Sequence, residues 1–223
     1  MMKFSTTQSD EPIMRLGSIH EAEMQPTDPD MHRMTLLHKQ QLPRPILFLS
    51  GTTNYTSTRW QTELINEIAL HPPKPKPQSI SSLSPTPSCT IIDPYNPTWD
   101  ASWSETSNNV PFRTQVEWEL EAQIRADVLV VGFCGEEVRS GVKGPGGTSL
   151  GELGMVVGRR EGGRREGKRK EVLVCVEEGF WNEGYVEILC GKFGVRCFKR
   201  MGDLIGVLRE VIEGFEGEGS NLG

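Results

Sequence analysis

The sequence predicts a doubly wound α/β domain, a parallel sheet of five strands with helices on both faces. Three observations carry the prediction. Five short runs, 46–50, 89–93, 128–132, 171–176 and 195–198, are apolar at consecutive positions, as strands buried on both faces are. Helical patterns recur between them, and alternation of the two elements specifies a parallel sheet. The first three runs each open into a turn rich in glycine, proline or hydroxyls.

Composition bounds the rest. A chain of 223 residues fits one domain with extensions. An apolar fraction of 36% beside 24 Gly and 15 Pro describes an ordinary core diluted by loops and tails. A net charge of −6 gives no general attraction to nucleic acid or to a membrane surface. No apolar run approaches the roughly 20 residues needed to span a bilayer. The first residues carry acids and no apolar signal core, so a cytoplasmic location is expected. Five cysteines, with no CxxC, fit reduced thiols better than a disulfide framework. The four histidines all precede the second strand, so neither a metal centre nor a Cys–His nucleophile is expected.

In chain order, residues 1–44 are polar, without sustained periodicity, and read as disordered or loosely attached. Ile46–Ser50 is the first strand, and Gly51–Thr58 is a turn dense in hydroxyls. A helix over 57–70 puts Trp60, Leu64, Ile65 and Ile68 on one face. Residues 72–88 are Pro/Ser-rich and read as a surface insertion. Cys89–Asp93 is the second strand. It delivers a loop carrying Asp93, Tyr95, Asn96, Trp99, Asp100 and Trp103, rich in groups that stack and hydrogen-bond, with two prolines that forbid regular structure.

Phe112–Ala126 is a helix with an expected buried stripe of Val116, Leu120 and Ile124. Glu119 falls at its margin with Gln115 and Gln123, where a carboxylate overhangs a pocket. After the third strand comes the glycine-rich stretch Gly144–Gly154 and a helix over 150–158. Residues 159–170 hold seven basic residues, two acids and three glycines, and read as a second, solvated insertion. The fourth strand, a short helix, the fifth strand and a helix over 202–212 complete a domain of residues 45–214, and 215–223 is a flexible tail.

Five strands suggest the flavodoxin-like order 2-1-3-4-5. Its ligand crevice lies between the carboxyl ends of strands 1 and 3, where the winding reverses. The loops there are 51–58 and 132–152. Glycines such as Gly147 let backbone approach a ligand closely, and the free N–H groups of a helix start, around Ser149, attract anions. Glu152 is the side chain there able to act as nucleophile or base. A second reading stands beside it: Ser149-x-x-Glu152 fits a capping box, with Glu152 reaching back to the Ser149 amide. The two can coexist.

Four segments carry a resemblance: PheLeuSerGlyThrThr…TrpGln (48–61), AspProTyrAsnProThrTrpAsp (93–100), residues 115–131 and SerLeuGlyGluLeuGly (149–154). In this order they resemble the nucleoside 2-deoxyribosyltransferase superfamily, in its 2-deoxyribosyltransferase-like branch. The resemblance implies a retaining mechanism in which Glu152 attacks the anomeric carbon of a 2-deoxynucleoside, or more broadly of a (deoxy)nucleoside or nucleotide. It implies that Glu119 protonates the departing base, and that Gly51, Thr52 and Tyr55 close over sugar and base. It implies a small-molecule substrate, no cofactor, and a homodimer or larger assembly, since family sites borrow a residue from a neighbouring subunit. ProGlyGlyThrSerLeuGlyGlu (145–152) is also similar to the turn of cytokinin-activating phosphoribohydrolases. A non-catalytic nucleotide-binding protein on the same fold is the remaining alternative.

Overall fold

The computed structural model describes residues 13–16, 42–52, 59–71, 89–96, 104–140, 146–165 and 170–215. Its strands are β1 (Ile13–Leu16), β2 (Ile46–Gly51), β3 (Cys89–Ile92), β4 (Val128–Phe133), β5 (Glu171–Val176) and β6 (Arg196–Phe198). The helices are α1 (Trp60–Leu70), α2 (Val110–Arg125), the short α3 (Glu136–Arg139), α4 (Gly147–Arg165), α5 (Glu183–Phe193) and α6 (Met201–Gly214).

The sheet runs β1-β3-β2-β4-β5-β6. From β3 to β6 every pairing is parallel. Counted among the parallel strands, this is the flavodoxin-like 2-1-3-4-5. One strand is added to expectation. Ile13–Leu16, inside the 1–44 segment read as lacking regular structure, pairs antiparallel with β3, Ile13 opposite Ile92 and Leu16 opposite Cys89. Four residues are too few for a periodicity argument, and an edge partner is chosen by the open backbone groups of β3 rather than by pattern. The whole of insertion 72–88 and residues 166–169 of the 159–170 stretch lie outside the described residues, as does the tail from 216.

Side chains alternate across a strand, so each central strand feeds two cores. Phe48, Leu129, Val131, Val172 and Val174 point to one face and meet Trp118 and Ala122 of α2, Leu153, Val156 and Val157 of α4, and Val186 of α5. Leu47, Leu49, Val130 and Leu173 point to the other and meet Trp60, Leu64, Ile65 and Ile68 of α1 with Leu204, Ile205 and Leu208 of α6. The expected stripe of α1 is therefore the buried one. Asp127 fixes the entry to the sheet: it pairs with Arg44 and accepts from the Ile46 amide at 2.8 Å, tying the starts of β2 and β4.

Two helices differ from expectation. On α2 the buried residues are Gln115, Trp118, Ala122 and Gln123, whereas Leu120 and Ile124 are 37% and 47% exposed. The helix is turned to seat Trp118, whose ring buries more area than either aliphatic chain, and this turn brings Gln115 and Gln123 inward. On the other, α4 does not stop near Gly158 but runs to Arg165 through the first half of the basic stretch. Arg160, read as solvated, is buried and donates from Nη1 to the Phe193 carbonyl at 2.8 Å, satisfying the C-terminal end of α5.

Candidate active site

The winding reverses between β2 and β4, so the crevice of an open α/β sheet opens at their carboxyl ends. Two glycines bring these ends together. Gly51 has φ +144°, and a Cβ on it would stand 2.0 Å from the Gly132 carbonyl oxygen. A Cβ on Gly132 would meet the Trp60 ring at 2.6 Å. Thr52 locks the junction. Its amide donates to the Gly132 carbonyl at 2.8 Å, its hydroxyl to the Cys134 carbonyl at 2.6 Å, and its carbonyl accepts from Trp60 Nε1 at 2.9 Å. The Thr52 side chain is thus engaged within the scaffold.

Entry to α4 is set by Gly146, at φ +77°, where a Cβ would press on Phe133 and the Thr52 methyl at 3.1 Å. Its carbonyl accepts from the Leu150 amide at 3.0 Å, so the helix is already under way at Ser149. Ser149 is buried within the first turn rather than capping it, and the capping-box reading gives way. Gly147, one residue on from the close approach, has open space around its Cα.

The Glu152 carboxylate, half-buried, is held from two directions. Ser50 Oγ, at the end of β2, donates to Oε2 at 2.5 Å, and Gln123 Nε2, on α2, donates to Oε1 at 2.8 Å. Both donors are almost fully buried. A second chain runs along the same helix. Asn96 Nδ2 donates to Gln115 Oε1 at 3.2 Å, and Gln115 Nε2 donates to Glu119 Oε1 at 2.6 Å and to the Pro94 carbonyl at 3.0 Å. Gln115, Glu119 and Gln123 are spaced at i, i+4, i+8 and therefore share one face of α2. Glu119 stands one turn from the residue that grips Glu152.

Asp93, at the end of β3, is buried and pairs with Arg59 at 2.6 Å. The Arg59 guanidinium lies 4.0 Å over the Tyr95 ring, and the Tyr95 amide donates to Asp93 at 3.1 Å. On the far side, Glu177 accepts from the Gly135 amide at 3.0 Å and from Arg139 at 2.8 Å.

Of the residues singled out from the sequence, Glu152, Glu119, Gly51, Thr52, Asp93, Asn96 and Ser149 stand along the carboxyl edge of β2, β3 and β4 or on the helices above it. Tyr55 and Trp99 lie outside the described residues. Sequence reasoning missed Ser50, Arg59 and the grip of Gln123 on Glu152. The available signal was the run of polar residues at helical spacing, 115, 119 and 123, on a helix that also carries Trp118.

Among the described residues, no three of His, Cys, Asp and Glu gather as a metal site, and no helix is long and apolar enough to cross a membrane. A search of curated proteins finds no match to the chain. The model of the family described as Nucleoside 2-deoxyribosyltransferase like matches residues 44–180, which covers β2 to β5 and every residue of the carboxylate cluster, and the chain belongs to that family.

Proposed function

We propose that the protein cleaves the N-glycosidic bond of a nucleoside or nucleotide through a glycosyl ester on Glu152, and passes the sugar to another base or to water. The observation that carries this reading is the Glu152 carboxylate, fixed by Ser50 and Gln123 at the winding reversal, with a second carboxyl group, Glu119, one helical turn from Gln123.

N-glycosidic cleavage builds positive charge on the anomeric carbon and negative charge on the departing base. A carboxylate beneath the ring stabilises the first and then bonds to the carbon, while an acid above neutralises the second. Glu152 takes the lower role: its oxygen forms the C–O bond as the C–N bond breaks. Glu119 gives its proton to the base nitrogen. The Glu119 carboxylate then accepts a proton from the incoming water or base as that nucleophile displaces Glu152. Donors already in place on Glu152 limit its rotation, so little ordering remains for the reaction itself. The reading needs no cofactor, and it includes a homodimer or larger assembly, which light scattering measures.

Base release by chromatography over nucleosides, their 5′-monophosphates and NAD tests it. Release from at least one class, lost in Glu152→Gln, is expected. No release from any class rejects enzymatic turnover in favour of a binding protein.

A further inference from the structure

The last member of the basic stretch 159–170 is half-buried against the end of α2 rather than solvated. Lys170 Nζ donates to the Gln123 carbonyl at 2.9 Å and also to the Ile124 carbonyl. The final carbonyls of a helix lack partners within it, and a cation there complements the helix dipole. On α2 the backbone itself turns away from Gln123. The Ala126 amide closes on the Ala122 carbonyl at 2.9 Å, and the Asp127 amide donates to the Ile46 carbonyl at 2.8 Å. Lys170 takes up what they leave. Its own backbone is anchored next door, where Glu171 opens β5 and donates its amide to the Asp127 carbonyl at 3.0 Å. The ammonium thus ties the last turn of α2 to the sheet. Burial holds it below its ordinary value against the opposing pull of Asp127, a desolvation cost that a solvated lysine does not bear.

Resting on the reading of Glu152 as nucleophile, we infer that Lys170 is a positioning residue for that carboxylate, acting through Gln123. One residue joins the two. The Gln123 backbone carbonyl is held by Lys170, and its side chain donates to Glu152 Oε1 at 2.8 Å. Gln123 is the third residue from the end of α2, in the turn where helices fray. Trp118 sets the roll of the helix from beneath, but it lies more than a turn away. The end of α2 therefore needs its own fixed point if the Gln123 amide is to stay on the carboxylate. A shift of about 1 Å there breaks the contact and frees Glu152 to rotate, and misplacement of that order costs up to about 100-fold in rate.

The test is a double-mutant cycle on base release. Lys170→Met keeps the apolar stem and removes the donor, and Gln123→Met removes the link to Glu152. Lys170→Met is expected to lower kcat about tenfold with KM within about twofold, since Lys170 orients the carboxylate and does not hold substrate. Introduced into Gln123→Met it should add less than about twofold, because the path to Glu152 is already cut. An equal loss in both backgrounds marks a merely structural role. That result, an unchanged kcat, or a change confined to KM overturns the inference and leaves the glycosidase reading intact. Hydrogen exchange at the Gln123 side-chain amide, followed by NMR, gives a readout independent of turnover. Exchange at least about tenfold faster in Lys170→Met is expected, and unchanged protection overturns the inference. Faster exchange in a protein that releases no base from any nucleoside or nucleotide keeps the hold of Lys170 on Gln123 and rejects the glycosidase reading. If Lys170→Met does not fold, Lys170→Gln, one bond shorter and uncharged, replaces it in both measurements.

Discussion

Ser50 and Glu152, 102 residues apart, meet at 2.5 Å, the serine hydroxyl donating to Oε2 of the carboxylate. Ser50 is the next-to-last residue of β2 and points to the α2–α4 side of the sheet, so the strand itself aims the donor. Hydrogen bonds to a charged group are worth about 1.5–3 kcal/mol. Ser50→Ala is expected to lower kcat by about 10- to 100-fold with little change in KM, because the lost contact orients the carboxylate rather than holding substrate. A change confined to KM would place Ser50 in substrate binding instead.

Glu152→Gln should yield a folded protein with turnover reduced by at least about 10³, a loss of roughly 4 kcal/mol of transition-state stabilisation. Quenched wild-type reactions should carry a sugar adduct on the peptide containing Glu152, read by mass spectrometry. Full activity in the variant would end the nucleophile assignment.

For Glu119→Gln, the loss should depend on the leaving base. An acid matters most where the departing group needs its proton, so poor leaving bases should slow more than activated ones. Gln115, which donates to Glu119 at 2.6 Å, should give a weaker form of the same pattern when changed to Met. Equal losses for both kinds of base would remove Glu119 from the acid role.

Two glycines of the site should separate in a stability measurement. Gly51→Ala forces a side chain into φ +144° and to within 2.0 Å of the Gly132 carbonyl oxygen, and should cost about 2–4 kcal/mol in urea denaturation. Gly147→Ala meets nothing within 4 Å in the first turn of α4 and should be neutral or stabilise by up to about 1 kcal/mol. Equal costs would show that the junction of β2 and β4 tolerates separation.

Thiol reactivity should rank the cysteines, all five of which are free. The hydrogen bond from Cys190, aided by Lys199, pulls the half-buried Cys197 thiol below its ordinary value. The same bond, with burial, pushes Cys190 up, and burial pushes Cys89 up to about 12. A lowered value means more thiolate at neutral pH, and the thiolate is the reactive form. Iodoacetamide at pH 7.5, about an ordinary assay pH and well below a free thiol's titration near 8.5, should modify Cys197 first. Cys89 and Cys190 should react only on unfolding. Mass mapping of early products checks the order.

The sequence alone determined the parallel sheet, its 2-1-3-4-5 order and the station of Glu152, because these rest on local facts. A strand buried on both faces must be apolar at consecutive positions. A parallel partner requires a crossover helix, and the winding reversal then marks where the crevice opens. The inward face of α1 was equally plain, since Trp60, Leu64, Ile65 and Ile68 recur at helical spacing, with Gln61 the one polar residue buried among them. On α2 two stripes competed, an aliphatic one of Leu120 and Ile124 and a mixed one of Gln115, Trp118 and Gln123. Periodicity counts apolar residues but cannot weigh one indole ring fitted to the sheet, nor polar partners arriving from elsewhere in the chain. Those partners were the deciding terms: Asn96 and Pro94 for Gln115, and Glu152 for Gln123. The start of α4 was settled the same way, by Gly146 seated against Phe133 and Thr52. The tertiary structure chose between alternatives that were locally equal, because burial of a polar group is tolerated only where a partner waits, and the partner's position is a property of the whole fold.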